Sequence, residues 1–226
     1  MSLTVGDLLA KVPEGQSRNF VVESEGEVEY HFLEVAYNWE YGGGISWNNR
    51  PSLMEKPRLS FRGVPGIGLE NLVEPDLTYD GPAAELVDFH NSGSAAFIIS
   101  DRLLDVFEFV DPGSIEIRKV TIQAKDGRVP FSMVMPLRVL EAIDAGRCEV
   151  NIVAKQLGPQ WIRRISFPKG VVIRKDIDAA IHNFAELDMS LWLWSRELFE
   201  KAKSAGVKGV VLRTPGVAAS RQIDQI

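Results

Sequence analysis

Three side chains of this 226-residue sequence are candidate nucleophiles: Ser100, Ser195 and Cys148. Acyl transfer by a serine needs a histidine base, and hydrolases often hold the serine in a G-x-S-x-G turn. Neither serine has flanking glycines of this kind. Each follows an apolar run and precedes an amphipathic segment, where a helix N-cap is expected. We therefore interpret both serines as capping residues.

The cysteine and the three histidines do not predict a metal or thiol site. His31, His90 and His182 lie far apart in the sequence and none is close to Cys148. Zinc sites need three or four ligands at compatible spacing. We expect no metal and no cofactor, and we interpret Cys148 as a small core residue. A single cysteine excludes an intrachain disulfide and fits a reducing compartment.

The elements around the two serines follow the same order. "AAFIIS" predicts a buried strand, Ser100 a helix start and "DPG" a helix end, and "SIEIRKVTI" and "GRVPFSMVMP" predict two strands. "LWLW", Ser195, a helix, Gly206 at its C-cap and the strand "GVVLR" repeat the pattern. The predicted helix stripes are Leu103, Leu104, Phe107 and Val110 in the first unit, and Leu198, Phe199 and Ala202 in the second.

The remaining segments complete an α+β fold with mainly antiparallel sheet, a few short helices and a strand–helix–strand unit at the C-terminus. We expect a β-rich region over residues 1–84 and an α+β domain over 85–226, with one continuous domain left open. The further expectations are a helix at 5–12, a hairpin at 19–39, a strand at 58–63, irregular surface chain at 63–83, a helix after Pro136, strands at 148–153, 161–167 and 170–174, and a loosely held tail after 213.

The charge balance limits the classes of partner. A formal net charge of -6 argues against nucleic acid, because such binding displaces counterions with a basic face. No apolar run reaches the roughly 18 residues of a membrane helix. The first residues lack the pattern of a signal peptide, so we expect a cytoplasmic protein with no membrane partner.

Two segments are candidate contact regions for a protein partner. The acidic residues of the predicted hairpin form one of them, and an aromatic loop forms the other. Tyrosine and tryptophan are frequent interface anchors, since they bury a large area with few rotatable bonds. The alternative for these aromatic residues is burial in the core. The candidate residues are Glu23, Glu25, Glu27, Glu29, Trp39, Glu40, Tyr41 and Trp47.

The order of these motifs resembles the Imm11-type immunity proteins of bacteria, also known as DUF1629. The similar segments are Ser100 to Phe107, Leu137 to Asp144, Ile162 to Ile173 and Trp194 to Val211, within residues 85–213. The resemblance implies a cytoplasmic antitoxin that binds a cognate toxin, which could be basic, and blocks it without catalysis. Two alternatives stay open: an enzyme that combines distant carboxylates with Cys148, and a scaffold domain of a secretion or phage system.

Overall fold

The helices and strands of the computed structural model agree with the α+β prediction. The structure describes residues 3–21, 32–37, 44–50, 68–92, 96–157, 160–187, 191–213, 215 and 222–226. The helices are α1 (Val5–Ala10), α2 (Asp101–Val110) and α3 (Arg196–Ser204). The strands are β1 (Arg18–Phe20), β2 (Phe32–Tyr37), β3 (Ser46–Trp47), β4 (Leu77–Thr78), β5 (Phe89–Asn91), β6 (Phe97–Ile99), β7 (Ile115–Ala124), β8 (Gly127–Pro136), β9 (Val139–Leu140), β10 (Val150–Leu157), β11 (Gln160–Ser166), β12 (Asn183–Glu186), β13 (Trp192–Ser195), β14 (Val210–Arg213) and β15 (Gln222–Gln225).

The described strands form three sheets with the orders β1-β10-β11, β15-β14-β2-β13-β12-β9 and β3-β4-β7-β8-β6-β5. Most neighbours are antiparallel, while β4 with β7 and β12 with β9 are parallel. Strands from both sides of residue 84 share sheets, because β2 lies between β13 and β14, and β4 pairs with β7.

The repeated strand–serine–helix unit is a real repeat of topology. In the first unit, β6 and β7 both pair antiparallel with β8, which lies between them. In the second unit, β13 and β14 both pair antiparallel with β2. The two strands of each unit are therefore parallel, and parallel strands need a crossover such as α2 or α3.

Burial on both faces explains the unbroken apolar run of β13. The described residues form three hydrophobic cores. Trp192 and Trp194 lie in the first core, whereas Leu193 between them lies in the second, with Phe184. Successive side chains of a strand point to opposite faces of its sheet. A strand covered on both sides consequently has no polar positions to alternate with apolar ones.

The first core joins the two repeated units. It contains Leu103 and Phe107 of α2 together with Leu198 and Phe199 of α3, all fully buried. The Phe107 ring stacks on Trp192 of the other unit, with 5.6 Å between ring centroids and 11° between planes. Burying such side chains stabilises the fold by about 1.5–3 kcal/mol each, so the two units stabilise each other.

The segment predicted as irregular surface chain contributes to the third core instead. Leu69 and Leu77 are fully buried there, and Tyr79 is 8% exposed. These side chains pack with Ile98, Ile122 and Met133. The third core lies on the face of the third sheet that is opposite to the first core. The glycines and prolines of this segment shape its turns but do not prevent it from burying its leucines.

Three further expectations are wrong where the structure describes their residues. The described ends of the predicted hairpin do not pair with each other, since β1 pairs with β10 and β2 lies in another sheet, while residues 22–31 with the predicted turn lie outside the described residues. No α-helix begins after Pro136. The chain forms β9 there, because the carbonyls of Arg138 and Leu140 accept hydrogen bonds from Ala185 of β12 and from Leu187 just after it. The tail is held by β15, which pairs with β14.

One predicted strand is formed only in part, and another lies in a segment that the structure does not describe. Of the predicted strand at 170–174, only Ile173 pairs, in an isolated bridge to Ile143. The predicted strand at 58–63 lies outside the described residues.

A buried aspartate links the end of α2 to the second unit. Asp111 is 3% exposed and its Oδ2 accepts hydrogen bonds from the backbone N–H groups of His182 and Asn183, each at 3.0 Å. The Asn183 side-chain amide donates to the same oxygen, also at 3.0 Å. Arg138 pairs with Oδ1 at 2.6 Å. All these donors stabilise the charged carboxylate in a site that excludes water.

A second aspartate makes the reciprocal link. Asp88, 8% exposed, precedes β5 and forms two hydrogen bonds with Lys208 in the loop after α3. Its N–H donates to the Lys208 carbonyl at 3.0 Å, and the Lys208 N–H donates to its carboxylate at 2.9 Å. Arg102 pairs with this carboxylate at 3.3 Å. Each unit thus binds the loop that follows the helix of the other.

We predict that Asp111→Asn destabilises the fold by about 3 kcal/mol, as expected when a buried ion pair loses one partner. Both oxygens of Asp111 accept from donors, so either orientation of the amide places its NH₂ against another donor. The measurement is the free energy of unfolding in urea. Asp176→Asn is the matched control, because the Arg174–Asp176 pair lies at the surface and should contribute little. Equal effects of the two variants would contradict the prediction.

Candidate functional site

Both candidate serines cap helices, as the sequence predicts. The Ser100 hydroxyl accepts from the Leu103 N–H at 3.3 Å, and the Ser195 hydroxyl accepts from the Leu198 N–H at 3.1 Å. Both residues have extended backbones, with φ and ψ of -71° and 164° for Ser100 and of -68° and 155° for Ser195. These are the dihedrals and contacts of an N-cap residue.

Each serine also contacts the residue that precedes the neighbouring strand. The Ser100 N–H donates to the Asp88 carbonyl at 2.9 Å, and the Ser195 N–H donates to the His182 carbonyl at 2.8 Å. The hydroxyls contact the same residues, since Ser100 donates to Asp88 Oδ1 at 2.5 Å and Ser195 Oγ lies 3.0 Å from His182 Nδ1. The serines therefore hold equivalent positions in the two units.

The Ser195–His182 contact lines a cavity of about 300 Å³, so it is the arrangement closest to a catalytic one in the described residues. The Glu197 carboxylate lies 3.8 Å from the same imidazole nitrogen, Nδ1. A catalytic triad uses both nitrogens, one for the nucleophile and the other for the orienting carboxylate. No described carboxylate contacts Nε2. The geometry therefore favours capping and packing over acyl transfer.

Cys148 has the environment of a structural thiol. It is 2% exposed, its Sγ donates to the Asp144 carbonyl at 3.2 Å, and it accepts from the Val172 N–H at 3.1 Å. Burial raises the pKa of the thiol to about 11. Because the thiolate is the nucleophilic form, this residue is unreactive near neutral pH. The core position predicted from the sequence is confirmed.

The histidines are also separated in space. His90 lies in β5, is 1% exposed and packs edge-on against the Phe131 ring, with centroids 6.0 Å apart. His182 lies at the Ser195 cavity, and His31 is outside the described residues. Within the described ranges, no group of three His, Cys, Asp or Glu side chains could hold a metal ion. No described helix is long and apolar enough to cross a membrane.

The structure describes one of the eight residues predicted to contact a partner. Trp47 is 9% exposed and packs in the third core, and its indole N–H donates to Asn49 Oδ1 at 2.9 Å. This residue follows the core alternative that the sequence left open. The other seven lie outside the described residues, so their role stays a prediction. They are Glu23, Glu25, Glu27, Glu29, Trp39, Glu40 and Tyr41.

A comparison with protein families identifies the family of this chain. The model of Imm11, an immunity protein family, matches residues 22–217. The chain belongs to the Imm11 immunity protein family. No curated protein matches the chain in sequence.

The Imm11 match extends beyond the segments whose motifs resemble the family. It begins at residue 22 and so includes β2, the strand that lies between β13 and β14. The Imm11 region therefore contains both strand–serine–helix units, the middle strand of each unit and both buried aspartates. Within this region, the N-cap role accounts for the contacts of both serines.

We predict that both serines of this Imm11 chain contribute to stability, and that Ser100 contributes more. Ser195→Ala should cost about 1 kcal/mol of unfolding free energy, the usual effect of losing a cap. Ser100→Ala should cost about 2 kcal/mol, because it also removes a donor from the buried Asp88 carboxylate. Urea unfolding measures both values. Ser204→Ala, at the exposed opposite end of α3, is the control and should change little.

A pH dependence should arise from His90. Desolvation lowers its pKa from 6.5 to about 4, and the hydrogen bond to the Val87 carbonyl and the nearby Asp88 charge only partly offset this. The unfolded chain binds a proton near pH 6.5, whereas the folded protein does not until about pH 4. Stability is thus lost as pH falls through this window, by about 3 kcal/mol in total.

Urea unfolding at pH 7 and pH 4.5 tests the role of His90. His90→Gln keeps a side-chain donor but does not titrate, so its loss of stability between the two pH values should be smaller by about 2 kcal/mol. The same pH slope in the variant and the wild type would show that other groups control the dependence.

Proposed function

We propose that this protein is an antitoxin: it binds a cognate bacterial polymorphic or secreted toxin in the cytoplasm and neutralises it without catalysis. Membership of the Imm11 immunity protein family carries the proposal. The structural use of Ser100, Ser195 and Cys148 supports the non-catalytic part, since each is already engaged in a cap or in the core.

Neutralisation by binding depends on area and charge. A stable interface of standard size buries about 1,600 Å² and derives most of its energy from a few aromatic or charged anchors. The chain has a formal net charge of -6. We propose that its partner is basic, because opposite charges accelerate association and disfavour the wrong partners. Nucleic acid and membrane are not part of the proposal.

The proposed contact regions include the two segments identified from the sequence. Glu23 to Glu29 supply four carboxylates and Trp39 to Tyr41 supply two aromatic rings around Glu40. Trp47 is excluded from the proposed contact set because it packs in the third core.

Co-purification with a toxin tests the proposal, and the products of the genes beside that of this chain are the candidates to screen. The wild-type chain should bind a catalytically inactive form of the cognate toxin and abolish the activity of the active form. Replacing Trp39, Glu40 and Tyr41 together by alanine should weaken binding at least about 30-fold, the effect of losing one hot spot. Val73→Ala, at a residue 80% exposed, is the control.

The outcomes separate the function from its contact residues. A wild-type chain that neither binds nor inhibits the toxin would contradict the proposed function. A triple variant that binds like the wild type would remove only the Trp39–Tyr41 segment from the proposed interface.

A further inference from the structure

The two repeated units provide an internal comparison of their helices. When Ser100 is aligned with Ser195, Leu103 corresponds to Leu198, and both leucines are buried in the first core. The last exposed positions of the helices differ. Glu108 and Phe109 of α2 stand where α3 has Lys203 and Ser204.

The end of α2 is unfavourable for a helix by itself. The last turn of α3 contains Lys201 and Lys203, which complement the negative end of the helix dipole. The last turn of α2 contains no basic residue and has Glu108 instead. The second copy of the repeat thus complements the helix dipole and the first does not. Such a departure from a local rule in one copy indicates a functional constraint on that copy.

Phe109 adds a second cost at the same place. Its side chain is 71% exposed, and it is the only aromatic residue among the large exposed apolar residues of the described chain. The Lys201 ammonium lies 4.0 Å from its ring centroid, from the neighbouring helix. This cation–π contact restrains the ring while most of its surface stays in water. A restrained aromatic side chain has little entropy to lose on binding.

Two carboxylates of the same helix, those of Asp105 and Glu108, differ from its other charged side chains. Asp101 at the start of α2 pairs with Lys119, at 2.7 Å, and Arg102 pairs with Asp88. Asp105 and Glu108 are exposed and form no ion pair with any described residue. Asp105 precedes Phe109 by four residues, so both lie on one side of the helix.

We infer that Asp105, Glu108 and Phe109, which we name the α2 face, bind a basic patch on the toxin. The inference rests on the proposed function and names a surface for it. Phe109 acts as the apolar anchor, and the two unpaired carboxylates receive lysine or arginine side chains of the toxin. Charge complementarity selects this occupant, because the Lys201 ammonium is already held over the Phe109 ring, whereas the two carboxylates of the face form no ion pair with any described residue.

The test exchanges the end of α2 for that of α3. The double variant Glu108→Lys with Phe109→Ser should bind the purified, catalytically inactive cognate toxin at least about 30-fold more weakly than the wild type does. Its melting temperature should stay equal or rise, because the lysine complements the helix dipole. Lower affinity without lower stability distinguishes a binding surface from a structural one.

Asp105→Lys gives a second, independent measurement. The position lies in the middle of α2, so the helix dipole is little affected. Association with the toxin should be about tenfold slower at low salt, and the dependence of the association rate on salt should be weaker than in the wild type. Val73→Ser and Glu14→Lys, at exposed positions outside α2, are the matched controls for the lost apolar side chain and the changed charge.

Each outcome has a distinct meaning. If the wild type binds the toxin and the double variant binds within about twofold of it, the α2 face is not the contact surface. If light scattering shows a wild-type dimer that Phe109→Ser dissociates while toxin affinity is unchanged, the face binds a second copy and the inference is overturned. If the wild type does not bind the toxin, the proposed function fails and this inference fails with it.

Discussion

Two buried aspartates hold the two halves of this fold in register. Asp88 accepts from the loop after α3, and Asp111 accepts from the chain before β12, so each strand–helix–strand unit binds its neighbour through an ionised carboxylate. Hydrogen bonds to such a charge are strong and directional, whereas the apolar contacts of the shared core are not directional. The core provides the larger share of the stabilisation, and the aspartates fix which loop lies against which strand. Arg102 and Arg138 keep both charges paired.

The two copies of the repeat share their framework and differ at one end of the helix. In both copies the serine, the first apolar helix positions and the strand pairing follow the same physical rules. The copies differ at the solvent-exposed end of the helix, where substitutions leave the core untouched. A repeated framework of this kind allows substitutions at the exposed end of one helix without a change in the shared core.

The sequence predicts the elements whose signals are local. The strands of the first unit, the caps at Ser100 and Ser195 and the core position of Cys148 follow from apolar runs, capping chemistry and turn residues. The failures concern pairing between distant segments. The residues after Pro136 have a helical stripe, but their carbonyls are taken by the chain around β12. Likewise, β1 and β2 look like a hairpin because they are near in sequence, yet each finds its partner more than a hundred residues away. The helical stripe Leu103, Leu104, Phe107 and Val110 leaves Phe109 on the opposite side of α2, so its exposure could have been predicted. Its contact with Lys201 could not, because that contact depends on how α3 packs beside α2.

The position of β2 has a consequence for biosynthesis. Leu33 pairs with Trp194, about 160 residues later, and the same strand also pairs with β14. During translation the apolar face of β2 therefore emerges from the ribosome long before either of its neighbours exists. The sheet that contains β2 is completed only when nearly the whole polypeptide has been synthesised. Until then the exposed strand can associate with other chains. Nascent chains would therefore need chaperones more than a protein with local strand pairing does.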